Sequence, residues 1–467
     1  MIVLKFGGTS VENAAAMNTV VRIVQREQHR QPVVVLSAIA GATNTLIKAA
    51  QLAQEGDHEQ SVRLLNDLLE RHVVILENLL ESRSVIQRLI LEIRRRFDEL
   101  KHLCQGIALL GELTNRSLDA IGSVGERLST QILAETLAER GIPVELVDAR
   151  TFMITDDQYT IAAPRFTEIQ NRIDTRLRPA LQSGKVILTQ GFIGSTLKGI
   201  TTTLGRGGSD YSAAIIGAAL DAEEIQIWTD VDGILTADPR ICPDARKLKV
   251  ISFREASELA YFGAKVLHPS TILPAIQKNI PVSVLNSRKP DATGTLIVSN
   301  PPKSTLPIKS IASKKEITVI NIQSTRMLMA YGFLEKIFAV FQKYKTPVDL
   351  VTTSEVAVSL TIDSSSCLGD IVADLSLVGD VLVYERKGIL CIVGEQMQST
   401  AGIADRVFRA LRTTNVMMIS QGASEINMSL VLNEEDIEPA VKNLHAEFFP
   451  ISQAGDILEA VHHEAGR

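Results

Sequence analysis

Five short stretches hold most of the residues able to do chemistry. Gly205-Arg206-Gly207-Gly208-Ser209-Asp210 runs without a break into Tyr211–Leu220, an apolar segment of small residues with helical character. Free amide N–H groups at such a helix start attract anions, so the stretch reads as an anion cradle or as a plain turn before a core helix. Lys5 interrupts the apolar run Ile2–Phe6 just before Gly7-Gly8-Thr9-Ser10, which would aim an ammonium at a second glycine turn. In Gly122-Ser123-Val124-Gly125-Glu126-Arg127, the glutamate either favours a helix dipole or faces a ligand ammonium. Trp228-Thr229-Asp230-Val231-Asp232-Gly233 offers two aspartates to a turn, or to a polar ligand and its Mg²⁺. Lys265, within Gly263–Pro269, snorkels from an apolar helix or contacts phosphate. Together these parts suit phosphoryl transfer, which needs cations and amides aimed at the moving group. The chain lacks the Walker A pattern, G-x-G-x-x-G and the protein-kinase catalytic-loop motifs, so a nucleotide would be held by a different scheme.

Positioning these stretches calls for strands that end where they begin. Ile2–Phe6 and the continuous apolar run Val33–Leu36 read as buried parallel strands. The second ends in the small-residue loop Ser37–Asn44, where Ser37 and Thr43 act as ligand hydroxyls or as helix caps. Met17, Val20, Val21 and Val24 mark a helix between the two strands. No proline occurs from Val33 to Ile142, and Ile86, Leu89, Ile90, Ile93, Phe97 and Leu100 fall on one helical stripe, which predicts a helical insertion. Arg94, Arg95 and Arg96 in that helix read as a solvated face. Further strands are expected at Val144–Val147, Lys185–Thr189 and Ile225–Trp228, and the alternation predicts a mostly parallel layered α/β fold over residues 1–300. Asn300–Pro307 has linker composition. Beyond it Gly332, Phe338, Glu355, Ser359 and Leu360 recur seventy positions later as Gly402, Phe408, Glu425, Ser429 and Leu430. Each copy reads strand, helix, strand, strand, helix, with a closing strand clearest in the first copy, a duplicated ligand-binding module.

Composition narrows the class. At 467 residues two or three domains are expected, and 45% hydrophobic with 22% charged residues is ordinary for globular proteins. A net charge of −6 gives no electrostatic footprint for nucleic acid or an anionic membrane. Four scattered cysteines fit buried thiols in a reducing cytosol, and no signal peptide or membrane-length apolar run is present, so a soluble cytoplasmic protein is expected.

Lys5-Phe6-Gly7-Gly8-Thr9-Ser10-Val11, the Gly125–Arg127 segment, the Gly205–Asp210 loop, Trp228–Gly233 and Phe262–Pro269 together, in this order, resemble the aspartokinase family. The resemblance implies an amino-acid-kinase (carbamate-kinase-like) layered α/β domain over residues 1–300, a linker at 301–315, and two ferredoxin-like α+β ACT domains at 316–388 and 389–467. The last strand of the chain is an alternative completion of the first ACT domain. It implies ATP-dependent phosphorylation of the L-aspartate side-chain carboxylate to 4-phospho-L-aspartate, the first step towards lysine, threonine and methionine, with Mg²⁺ accompanying ATP. Carried over by position, Lys5 and Asp210 are catalytic. Ser37, Thr43, Glu126, Phe192, Arg206 and Ser209 contact substrate, with Arg206 forking the α-carboxylate and Glu126 holding the ammonium. Lys5, Gly7, Gly8, Thr229, Asp230, Leu235, Arg240, Lys265 and Val266 lie along ATP. Leu235 stands where relatives commonly have tyrosine, which puts a ring contact to the nucleotide in question. Met327, Gly332, Phe333, Leu334, Val348, Asp349, Thr353, Ser354 and Glu355 would hold a feedback amino acid, lysine ahead of threonine. A monofunctional enzyme is implied, with no dehydrogenase sequence after the repeat, assembled as a homodimer through the ACT domains or as a tetramer. Two other readings stand beside it: another amino-acid kinase, and a catalytically silent amino-acid sensor.

Overall fold

The computed structural model describes residues 1–263, 269–304, 306–327, 331–363, 366–450 and 457–459. The chain divides into two units: residues 1–233, 250–253 and 266–301 form the first, and 234–249, 254–265 and 302–467 the second.

The first unit opens with Ile2–Phe6 (β1) and Ala14–Glu27 (α1), the latter capped by Asn13, whose side chain accepts a bond from the Ala16 N–H at 2.9 Å. Val33–Leu36 (β2) leads to Ala42–Gln54 (α2), His58–Leu79 (α3), Arg83–Leu110 (α4), Asn115–Gly122 (α5) and Val124–Glu139 (α6). Val144–Val147 (β3), Phe166–Gln182 (α7), Val186–Gln190 (β4), a small hairpin of Ile193–Ser195 (β5) and Thr201–Thr203 (β6), Gly208–Leu220 (α8) and Glu224–Thr229 (β7) follow. Lys247–Leu248 (β8) belongs to the second unit. After it come Val250–Ser252 (β9), Phe253–Tyr261 (α9, of the second unit from Arg254 on), Leu273–Gln277 (α10), Val282–Asn286 (β10) and Thr295–Val298 (β11).

Eight strands form one sheet in the order β3-β4-β2-β1-β7-β10-β11-β9, parallel from β3 to β10. β1 and β2 are buried along their whole length, which is why their sequences run apolar without alternation. The helical insertion is α3 and α4. Leu89, Ile93, Phe97 and Leu100 of the expected stripe are buried in the same core as Met17, Val20 and Val24 of α1. Because β1, β2, β4 and β7 are parallel neighbours, the loops after Phe6, Leu36, Gln190 and Thr229 all leave the sheet on one edge, where such folds bind ligands.

The second unit contains Ile308–Gln323 (β12), Phe333–Lys343 (α11), Val351–Thr353 (β13), Ala357–Asp363 (β14), Leu368–Leu375 (α12) and Asp380–Gly394 (β15). Then come Ile403–Ala410 (α13), Met418–Gln421 (β16), Asn427–Asn433 (β17), Ile437–Phe448 (α14) and Leu458–Glu459 (β18). Six of its strands form an antiparallel sheet, β13-β14-β12-β15-β17-β16. Two of them serve both copies of the repeat. Residues 317–323 of β12 pair with β14 and with 380–387 of β15, completing the first copy, whereas 308–314 pair with 389–394 beside β17, completing the second. The second half of the stretch that reads as linker is therefore strand, and it supplies the closing strand the second copy lacks in its own sequence. The last described strand, β18, pairs with β8, so β15 and not the chain end closes the first copy.

The seventy-residue displacement maps onto equivalent places. Gly332 and Gly402 cap α11 and α13 with φ of 75° and 85°, a left-handed conformation suited to glycine, and Leu360 and Leu430 are buried on β14 and β17. On the first half of β12, Lys309 is buried between Glu255 at 2.8 Å and Glu395 at 3.0 Å. No helix among the described residues is long and apolar enough to cross a membrane.

Candidate active site

A cleft of about 380 Å³ opens at the carboxyl edge of the parallel sheet in the first unit. It brings together Lys5, Gly8, Ser37, Thr43, Glu126, Phe192, Arg206, Ser209 and Asp210 from the expected set. Gly7 lies beside them, its N–H donating to the Trp228 carbonyl at 3.0 Å and its Cα next to the Lys5 ammonium.

Lys5 sits mid-strand, registered against Val35 on β2 and Ile227 on β7. Its Nζ lies 2.6 Å from Asp210 Oδ1, with both side chains almost buried. Asp210 stands in the first turn of α8, so the glycine loop carries the lysine's counter-ion. Two residues before the helix, Arg206 is exposed and has no hydrogen-bond or ion-pair partner among the described residues, leaving its fork open to the cleft.

Glu126 is in the first turn of α6 and only 3% exposed. Its Oε2 has no hydrogen-bond partner among the described residues. Burial pushes its carboxyl up to about 7, against the smaller opposing pull of the Glu126 and Ala38 backbone amides. The cleft therefore holds an uncompensated acid and an uncompensated arginine beside a tightly paired lysine and aspartate. That pattern suits a zwitterion with a further anionic group.

Two features support these residues, and the second of them, Asp119, was not singled out from the sequence. Phe192 has φ of 68°, a left-handed conformation costly for an aromatic residue, by about 1–3 kcal/mol. It is held there because its N–H donates to Ser212 Oγ at 3.0 Å and its carbonyl accepts the Leu204 N–H at 2.9 Å. Next to it, a Cβ on Gly191 would stand 2.8 Å from the Ser209 Cα, so the glycine lets α8 approach β4. Asp119 of α5, 1% exposed, accepts the Thr203 N–H at 3.0 Å, the Thr203 hydroxyl at 2.6 Å and the Thr160 N–H at 3.0 Å. It thereby ties down the strand that feeds the Gly205 loop. A lone aspartate in a helix carries no sequence signal for such a role.

Thr229 and Asp230 lie at the end of β7, with the Thr229 hydroxyl donating to Asp230 Oδ1 at 3.2 Å. Leu235 and Arg240 fall in the second unit, where Arg240 is forked by Asp238 at 2.6 and 3.0 Å. Lys265 and Val266 lie outside the described residues.

The expected effector residues occupy the first copy of the repeat. Met327 lies before α11, Gly332 caps it, Phe333 is buried and Leu334 exposed. Val348 and Asp349 precede β13, while Thr353, Ser354 and Glu355 form the exposed turn towards β14. The Asp349 side chain is 4% exposed, takes the Tyr261 hydroxyl at 2.6 Å and has Lys314 at 3.5 Å, yet its Oδ2 lacks a hydrogen-bond partner among the described residues. Burial raises its carboxyl above the usual range.

Residues 1–286 match the model of the amino acid kinase family and residues 390–448 that of the ACT domain. The chain is 39% identical over 469 residues to lysine-sensitive aspartokinase 3 of Escherichia coli (strain K12), covering 96% of this chain and 99% of that one. Among solved structures, E. coli aspartokinase III in complex with aspartate and ADP (R-state) superposes with a TM-score of 0.85 at 37% identity, over 96% of this chain and 100% of that one. The same enzyme in complex with lysine and aspartate (T-state) gives 0.80 at 38% identity, over 96% and 99%.

Proposed function

This chain belongs to the aspartokinase family, and from that premise we propose how its own residues share the transfer of the ATP γ-phosphoryl group to the side-chain carboxylate of L-aspartate. One observation carries the assignment: Glu126 and Arg206, an unpaired buried acid and an unpaired arginine, face one cleft with the Lys5–Asp210 pair. Glu126 holds the substrate ammonium and Arg206 forks its α-carboxylate, with Ser37, Thr43, Phe192 and Ser209 shaping the pocket. A side-chain carboxylate oxygen attacks the γ-phosphorus, the bond to the β–γ bridging oxygen breaks, and ADP departs as 4-phospho-L-aspartate forms. Lys5 meets the charge on the phosphoryl in transit, and Asp210 keeps the ammonium in place. ATP is assigned to Gly7, Gly8, Thr229 and Asp230 on this unit. Asp232 is engaged by Asn286 at 2.5 Å, whereas Asp230 is exposed and bonded by Thr229, so Asp230 is the carboxylate that suits Mg²⁺. When bound, Mg²⁺ supplies charge neutralisation on the phosphates.

Arg206→Lys tests this reading. Losing the bidentate fork is expected to raise the KM for L-aspartate roughly ten- to hundredfold and to leave the KM for ATP within about twofold. Steady-state kinetics with hydroxylamine trapping of the acyl phosphate measures both, and equal effects on the two substrates would sink the role given to Arg206.

Feedback is assigned to the first copy of the repeat, with lysine as effector ahead of threonine. The bare Asp349 Oδ2 and the exposed Glu355 are the carboxylates for its ammonium groups. Lysine is expected to inhibit, and Glu355→Ala to raise the half-inhibiting concentration roughly tenfold with uninhibited kcat unchanged. Wild-type enzyme indifferent to lysine would refute it. Assembly as a homodimer through the second unit is supported by apolar residues left exposed on the edge strands, Val351 of β13 and Ile419 of β16. That no disulfide joins any of the described cysteines supports the cytoplasm as compartment.

A further inference from the structure

The arginine run of α4 is not uniformly solvated. Arg94 and Arg95 are exposed, but Arg96 is half-buried and its Nε is sealed from solvent without a hydrogen-bond partner among the described residues. It faces a second cavity of about 480 Å³ in the first unit, between α4, α6 and the edge strand β3. Arg127 lines the same cavity, so consecutive residues of α6 serve two cavities, Glu126 the cleft and Arg127 this one.

Neither guanidinium has an ion-pair or hydrogen-bond partner among the described residues, because the acids around the cavity are engaged elsewhere. Glu135 pairs with Arg88 at 2.8 Å. Asp148 is forked by Arg150, with Nη2–Oδ2 at 2.6 Å and Nε–Oδ1 at 3.0 Å, which brings a third guanidinium close. Burial first, then repulsion from Arg150 and Arg96, against a smaller pull from Asp148 and Glu99, draws the Arg127 guanidinium down to about 10. Cations gathered in a half-buried hollow whose lining acids, Glu135 and Asp148, are already paired with other arginines are unfavourable until an anion joins them. Two guanidinium forks are the geometry that takes a carboxylate or a phosphate, and the volume is that of a small-molecule pocket.

We propose that this cavity is a second ligand site, which binds a small carboxylate or phosphate anion between Arg96 and Arg127. Isothermal titration of the full chain with inorganic phosphate and, separately, with succinate tests the proposal and tells the two chemistries apart. Arg206→Gln serves to remove carboxylate binding in the cleft, and the titrations are run with ATP bound so that its phosphate sites are filled. The Arg206→Gln protein is expected to keep one site for at least one of the two anions, weakened roughly tenfold or more when Arg96→Gln and Arg127→Gln are added. Unchanged binding in that triple variant, or no binding of either anion to Arg206→Gln, overturns the proposal. A second measurement stands if the triple variant misfolds. Arg127→Met should melt higher than wild type in low-salt buffer free of both anions, since it relieves the repulsion, and the binding anion should erase the difference. A lower melting temperature for Arg127→Met under those conditions means the arginine is a structural prop and overturns the site.

Discussion

Lys5→Met is expected to lower kcat roughly a thousandfold while the KM for L-aspartate moves by less than about threefold. The split follows from the geometry. Lys5 is fixed mid-strand and held at 2.6 Å by Asp210, whereas the groups assigned to the substrate's ends, Glu126 and Arg206, stand on α6 and on the glycine loop. Removing the ammonium therefore takes away charge at the phosphoryl without unseating aspartate. Methionine matches the stem's length but leaves Asp210 buried without its cation, so Lys5→Met combined with Asp210→Asn controls for that. The double variant should be no slower than Lys5→Met alone, because Asp210 acts through Lys5. A loss of kcat below about tenfold in Lys5→Met would remove Lys5 from the chemistry.

The second large effect belongs to Glu126 and has opposite signs for function and stability. In the unliganded protein its carboxyl is pushed up to about 7, above its ordinary 4.5. A carboxyl with a raised folded-state value contributes stability that is full below pH 4.5 and is lost as pH rises through about 7. Above that pH the fold carries a buried, uncompensated carboxylate. Glu126→Gln should therefore be the more stable protein at pH 8, by about 3 kcal/mol for a shift of about 2.5 units at 1.36 kcal/mol each. Its advantage should shrink towards pH 5. Catalysis runs the other way. Wild-type kcat/KM for aspartate should fall about tenfold per pH unit below pH 7, as the carboxylate that meets the ammonium is protonated. In Glu126→Gln it should be low at every pH, without that inflection. Thermal melts and pH–rate profiles on both proteins measure the two signs. Equal melting temperatures at pH 8 would show that the acid is already compensated.

What could be read from the chain depended on how local each signal is. Gly8, Ser37, Glu126, Arg206 and Asp210 follow strand ends or open helices, and Lys5 shows by interrupting the apolar run of its strand, so their motifs carry both the element and the chemistry, and they converge on one cleft. The buried stripe of α4 was legible for the same reason, since three- and four-residue spacing is set by the helix itself. Arg96 was not, because it lies one residue from the exposed Arg95 and only the positions of α6 and β3 decide which of them turns inward. The pairing of residues 308–314 with 389–394 was also hidden. Strand partners about eighty residues apart leave no local mark, and proline-rich residues just upstream disguise the start of β12 as linker.

The shared strands also set a timetable for synthesis. Nothing can complete the first half of β12 until the end of β15 has emerged from the ribosome. Throughout that interval residues 308–314 lack their sheet partner, a standing invitation to pair with another nascent chain. Lys309 sits within that segment, and a charge there discourages such pairing while the strand is bare. Its second carboxylate, Glu395, lies just past the last residue of β15, Gly394. The lysine that guards the open edge thus becomes fully neutralised when the strand that closes it arrives.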